Sequence, residues 1–428
     1  MIVMGLILGA GLAERVRAQG TISGDANGDC KVDGVDFVVV FNNYGKPTGG
    51  GATQGDFSGD GKVDGVDYVI LFNHYGQVCQ GTPVPTATPT PTPTPVGPTP
   101  TPPPIVTGQG IWISSSEIAK LPTSGSAWNA VLSAANGSWG TARLNDNNSM
   151  HDVYTLAGAL VAVRTGDSTM RAKTIAGLRS AMSSLISRTL ELARGLQTYI
   201  IAADIIGYHD TGFENWVRDI TFARPVPGRD GSGLYNNALT DSTNWGGHER
   251  ASAIAAALYL RDSRIGELVR AYQEYIGENV SPKTLIYRGT NWQADQNNKA
   301  GVNRVGARIQ GQDVSGVIPE DWRRGSEFNW PPTLSGYMWE GVQGFTVSAV
   351  LLHRAGLVPF TSGNNVLSRV LHQLMDPLNP PNPGINDQPT GDDTWIPWVV
   401  NYYAGTNFRT TAANPGKNMG WTDWTHSR

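Results

Sequence analysis

Asn244 and His248 stand four residues apart in Asp241-Ser-Thr-Asn-Trp-Gly-Gly-His-Glu-Arg250, a polar stretch that leads straight into the apolar run 251–260. An amide and an imidazole at that spacing share one face of a helix. Ser242 or Thr243 can cap the helix start, where unpaired N–H groups and the dipole favour an anionic guest, so the pair reads as a carboxylate site. Gly246 and Gly247 are poor helix formers that leave room for a ligand or a neighbouring backbone. The plainer alternative is a frayed helix start with a capping Asn and a structural His.

A second chemistry is written twice near the N-terminus, in the segments 24–45 and 55–76, at a period of 31 residues. Oxygen ligands at loop positions 1, 3, 5, 9 and 12, with a backbone carbonyl at 7, suit a hard cation of high coordination number. Asp25, Asn27, Asp29, the Lys31 carbonyl, Asp33 through water and Asp36 fit that template in the first loop. Asp56, Ser58, Asp60, the Lys62 carbonyl, Asp64 and Asp67 fit it in the second. Two loops at matched offsets, each followed by an apolar helix, predict two Ca²⁺ ions.

These residues resemble the dockerin family, small calcium-dependent EF-hand-like modules that plug enzymes into cohesin-bearing scaffolds. The resemblance spans Gly24 to Gly76 and implies a cohesin-like partner. Gly34-Val35 and Gly65-Val66 occupy the pair that carries hydroxyl side chains in the best-known type, and Cys30 stands where the first loop should have glycine. Cys79, just past the second repeat, is the only other cysteine. Two thiols flanking a small exported module predict a Cys30–Cys79 disulfide; the alternative is one buried and one free thiol.

The 428 residues are 39% hydrophobic and only 16% charged, which is globular and poor in charge. Residues 1–19 begin with an apolar stretch and end in a small-x-small site, so they read as a signal peptide and predict a secreted, periplasmic or cell-surface protein. No other apolar stretch is long enough to span a membrane. Residues 20–80 form the module, and 81–107 are almost wholly Pro, Thr and small residues, a semi-rigid spacer near polyproline II. Residues 108–428 form the second domain. Between Gly24 and Gln80 acidic residues number 8 and basic residues 3, whereas the large domain carries 27 of each sign, 22 of its cations being Arg. That neutrality argues against nucleic acid as a partner, while leaving arginines free to fork onto carboxylates.

The large domain is predicted to be mainly α, with helices over 125–135, 150–165, 168–187, 190–207, 211–222, 244–261, 263–278, 336–355, 364–375 and 393–403, and a short strand signal at Ile111-Trp-Ile-Ser114. Four of the helices share a polar or aromatic opening ahead of an apolar body, which places His151, Trp245, Trp339 and Trp395 near their starts. If these are the inner members of successive antiparallel pairs, they run parallel and present their openings to one cleft. The irregular stretch 277–332 is loaded with Trp, Arg, Asn and Tyr, including Trp292, Arg304, Arg308, Arg323 and Arg324. Aromatic faces stack on sugars and Arg binds uronate carboxylates, so a polysaccharide cleft is expected. Core tryptophans and a solvated ion-pair cluster at 320–324 are the alternative.

The large domain also resembles the alginate-lyase-like helical family. The residues that carry this are Ser124-Gly-Ser-Ala-Trp-Asn129, the helix at Tyr154-Thr-Leu-Ala-Gly-Ala-Leu-Val161 with Arg164-Thr-Gly-Asp167, Leu192-Ala-Arg-Gly-Leu-Gln-Thr-Tyr-Ile-Ile-Ala-Ala-Asp204, and Asn244-Trp-Gly246. The resemblance implies an α/α toroid, an incomplete α/α barrel, and cleavage of an acidic uronate polysaccharide by β-elimination. Characterised alginate enzymes carry Asn-His where this chain has Asn244-Trp245. Elimination needs a neutralised carboxylate, a base for the C5 proton and an acid for the departing O4. Asn244 with Arg304 or Arg308 is assigned the first role, His248 the second, and Tyr287 the part of base or acid. A glycoside hydrolase would instead use two carboxylates among Glu320, Asp321, Glu340, Asp392 and Asp393, and a non-catalytic carbohydrate-binding protein would use none.

Overall fold

The computed structural model describes residues 22–78 except Asp33 and Gly76, 110–376 except Gly325, and 385–427. The predicted signal peptide, the Pro/Thr spacer and Cys79 lie outside these residues. The chain divides into two compact units, Met1–Pro95 and Val96–Arg428. Among the described residues the protein is mainly helical, with one two-stranded ladder, and no helix is long and apolar enough to cross a membrane.

The small unit is a duplicated loop and helix, α1 (Gly34–Asn43) and α2 (Gly65–His74). Val32, Val40, Val63 and Leu71 form its core, with Ile22 and Phe57 packed on it. Backbone bridges join Lys31 to Val78 and Pro47 to Lys62, positions that interchange under the period of 31. The repeat seen in sequence is therefore also a repeat in space.

In the large unit, α3 (Ser115–Ile118) and α4 (Ser126–Asn136) lead into α5 (His151–Thr165), α6 (Ser168–Met182), α7 (Thr189–Ile205), α8 (Thr211–Phe222) and α9 (Leu234–Thr240). Next come α10 (Asn244–Leu260), α11 (Ile265–Tyr275) and the antiparallel pair β1 (Arg308–Ile309) and β2 (Gln312–Asp313). The chain ends with α12 (Pro319–Arg323), α13 (Tyr337–Arg354), α14 (Ser362–Met375), α15 (Ile396–Ala404) and α16 (Thr422–Thr425).

Helices α5, α7, α10 and α13 are buried on nearly every face, which their small and apolar bodies allow. Helices α8, α11 and α14 bury one stripe each and lie outside them. The buried helices run parallel. Arg194 at the start of α7 meets Glu340 and Gln343 at the start of α13, while the far ends of α7, α10 and α13 line one cavity. The tail connects α15 back to α5, because the Trp421 indole donates to the Val153 carbonyl and the Thr422 hydroxyl to that of Trp395.

Two corrections follow. Ile111–Ser114 is no strand; Ser114 instead caps α3 in a reciprocal box with Glu117. The short helix α9 replaces an expected loop. Gly246 of α10 and Gly344 of α13 have a packing reason. A Cβ at Gly246 would overlap the Asp241 carbonyl, and one at Gly344 of α13 would overlap the backbone of Gly247. Gly344→Ala should therefore force α10 and α13 apart and cost about 1 to 3 kcal/mol, read as a lowered midpoint in thermal denaturation.

Candidate functional site

The start of α10 is held by the protein's own groups. Asp241 accepts from the Thr243 N–H at 2.8 Å, Thr243 from the Trp245 N–H at 3.3 Å, and Asp321 of α12 from the Asn244 N–H at 3.1 Å. The place anticipated for an anionic guest at this helix end is thus taken by the protein's own Asp321, which is fully buried and whose carboxyl burial pushes well up, toward the neutral acid. Asn244 is 1% exposed and donates from Nδ2 to Glu340 Oε2 at 2.8 Å. His248 is 0% exposed beneath Gln343, and burial, with Arg194 nearby, holds its pKa well below the usual range. A neutral imidazole sealed from solvent is part of the core, so His248 does not stand where a base could meet substrate.

The remaining predicted residues divide sharply. Tyr287 turns its hydroxyl to Glu274 of α11 at 3.4 Å, and burial raises its pKa. Arg304 is spent on the carbonyls of Gly277 and Asn298, and Arg308 on that of Gly311. Neither is joined to Asn244. His151 is buried against the Tyr199 hydroxyl at 2.8 Å, with its pKa lowered by burial to about 4. Trp292, Trp339 and Trp395 are core anchors, Trp292 donating to the Ser326 carbonyl at 3.2 Å. Arg323 pairs with Glu320 at 3.1 Å. Trp245 is half-buried with the Arg188 guanidinium 5.4 Å from its ring centre.

Two groups at this rim join residues the sequence singles out, Glu340, Asp392, Asp393 and Arg324, to ones it leaves unassigned, Arg194 and Tyr337. The first is a network about Arg194, which is 4% exposed. Its guanidinium meets Glu340 at 3.8 Å, Asp392 at 3.5 Å, Gln343 at 3.3 Å and Asn418 at 3.2 Å. Lys417 also pairs with Asp392, at 3.3 Å. Behind them Asp393 accepts from Gln343 Nε2 at 2.7 Å, yet burial raises its pKa to about 7. Burial likewise raises Asp152 to about 7.

The second group is exposed. Arg324 sits in the left-handed region, φ 39° and ψ 42°, and lays its guanidinium over the ring of Tyr337 at 3.1 Å. Tyr337 is 40% exposed. Arg324 makes no salt bridge among the described residues, and its charge is felt by Asp321 beneath it. A strained backbone and an unspent cation over an exposed phenol combine the features that functional rims collect. The signal available in the sequence was the position of Tyr337 in one of the four helix openings.

In the small unit Asp56, Asp60 and Asp67 bring carboxylate oxygens within 4.8 Å of one another. The loop N–H groups of Ser58, Gly59, Gly61 and Asp64 orient these acids. In the first loop Asp25 and Asp36 are oriented alike by Ala26, Gly28 and Cys30. Asn27, Asp29 and Ser58 follow the loop, with the Lys31 and Lys62 N–H groups bonded to Asp29 and Asp60. Asp33 lies outside the described residues, and Asp64 pairs with Lys62 at 3.4 Å. Cys30 adopts φ 66° where Gly61 has φ 86°, so the turn is kept despite its side chain, and Cys30 is disulfide-bonded. Converging carboxylates with all-oxygen donors fit Ca²⁺.

Residues 23–75 are a dockerin type I domain, matched over that range by the family description. This implies calcium binding and docking to a cohesin in a cellulosome-like complex, where such proteins are typically extracellular. No curated protein matches the chain.

Two outcomes test this geometry. Chelation with EGTA should open the dockerin domain to protease between residues 24 and 76, mapped by mass spectrometry, and leave unchanged the fluorescence of the tryptophans, all of which lie in the large unit. Asp393 is a carboxyl raised from its ordinary 3.8 to about 7, so its contribution favours folding below pH 4 and is lost as pH rises to 7. Asp393→Asn should match the parent in unfolding free energy near pH 4 and exceed it at pH 8 by on the order of 2 to 4 kcal/mol, read by denaturant titration at the two pH values.

Proposed function

We propose that this chain is an extracellular polysaccharide lyase, carried on a cohesin-bearing scaffold by a dockerin domain with one Ca²⁺ in each loop. Its helical unit is read as an incomplete α/α toroid, and its acidic glycan lies across the rim where α10, α12 and α13 begin. The observation that carries this reading is the stacking of the Arg324 guanidinium on the exposed Tyr337 ring, beside the Asn244–Glu340 contact. Arg324 meets the uronate carboxylate and makes the C5 proton more acidic. The Tyr337 hydroxyl takes that proton or gives one to the departing O4. Trp245 offers an apolar face to a sugar ring. Asn244 acts by fixing Glu340 and so the first turn of α13.

Hydrolysis is the second reading, favoured by the way Glu340 and Asp392 flank one Arg194 guanidinium, since two carboxylates at one cleft are a glycosidase's requirement. Incubation with a panel of acidic polysaccharides separates the two. Elimination gives an unsaturated product that absorbs in the ultraviolet, and Arg324→Ala and Tyr337→Phe should each lower kcat/KM by about 100-fold or more with helical content unchanged. New reducing ends without that absorbance, lost in Glu340→Gln or Asp392→Asn, would select hydrolysis. Affinity for the glycan without either product would leave a binding protein.

A further inference from the structure

We infer that the helical unit carries a second carbohydrate site, for a single acidic sugar residue, at the end of the buried helices opposite the rim. A cavity of about 330 Å³ opens there, lined by Ile205, Tyr259 and Arg354 near the C-terminal ends of α7, α10 and α13. That volume falls in the range of small-molecule sites. The His209 ring lies flat on Tyr259, with centroids 5.0 Å apart and planes 10° from parallel, and its Nδ1 is fixed by Glu214 at 2.9 Å. The result is an aromatic wall of set orientation. Asp204 accepts from the Ile111 N–H at 2.9 Å through one oxygen, and its other oxygen is an acceptor for a sugar hydroxyl. Arg354 is already committed to Glu117 and the Gly110 carbonyl.

Arg261 supplies the independent observation. It caps α10 in the left-handed region, φ 53° and ψ 46°. Helices α5 and α15 end in the same conformation with Gly166 and Gly405, the residue that adopts it without strain. At α10 the strain is kept and a guanidinium that makes no salt bridge among the described residues lines the cavity. An unspent cation beside an aromatic wall and a hydroxyl-binding acid matches a sugar that bears a carboxylate. These residues are distinct from the rim, so the site stands whether the rim eliminates or hydrolyses.

The test uses the full chain carrying Arg324→Ala, which disables the proposed rim contact, and saturation-transfer NMR with glucuronate, galacturonate and uncharged glucose. Transfer to both uronates and a several-fold weaker response from glucose are expected. Adding Arg261→Gly should abolish the uronate signal while raising the melting temperature, because the strained turn is relieved and the fold retained. Equal response to glucose, absence of any uronate signal, or a signal that survives Arg261→Gly would each overturn the proposal. Rim activity is read separately by product absorbance, so failure there is distinguishable.

Discussion

The large unit depends on how closely α10 and α13 approach. Gly344 presents no side chain to the backbone of Gly247, and the two helices come together at a distance that a Cβ at Gly344 would prevent. That approach puts Asn244 within 2.8 Å of Glu340 and places Gln343 over His248. It also brings the first turn of α13 to the guanidinium of Arg194 on α7. Three helix starts become one polar surface because two of their backbones nearly touch.

Burial then sorts the polar groups of that surface into two layers. Asp321, His248, Asp152 and Asp393 lie below, where desolvation drives each toward its neutral form. Arg324 and Tyr337 lie above, open to solvent, and between the layers Glu340 and Asp392 are held by Arg194. The lower layer shapes the rim and the upper one is available to a ligand. This division explains why residue types alone mislead here: the same histidine or tryptophan is chemistry in one layer and packing in the other.

Much of the fold was legible in the chain. The ten predicted helices coincide closely with α4 to α8, α10, α11 and α13 to α15, because their bodies are continuous apolar or one-sided patterns bounded by Asp, Thr and Gly. α9 was missed because Leu-Tyr-Asn-Asn-Ala-Leu-Thr is short and half polar. The calcium loops were legible because their ligands are local in sequence. The rim was legible only in part: Arg324, Glu340 and Asp392 were named, but Arg194 reaches partners as far away as Asn418 from within an apolar helix, and nothing local marks such a residue. Trp292, Trp339 and Trp395 were expected to face a glycan and instead fill the interior, a choice that composition leaves open.

The tail has a wider consequence. Stacked helix pairs ordinarily leave a first and a last pair with one neighbour each, and such arrays fray from those margins. Here Trp421 and Thr422 stitch the final helices to the opening ones, so the first and last described helices hold each other. That stitching turns local opening into an event that the first and last helices must undergo together.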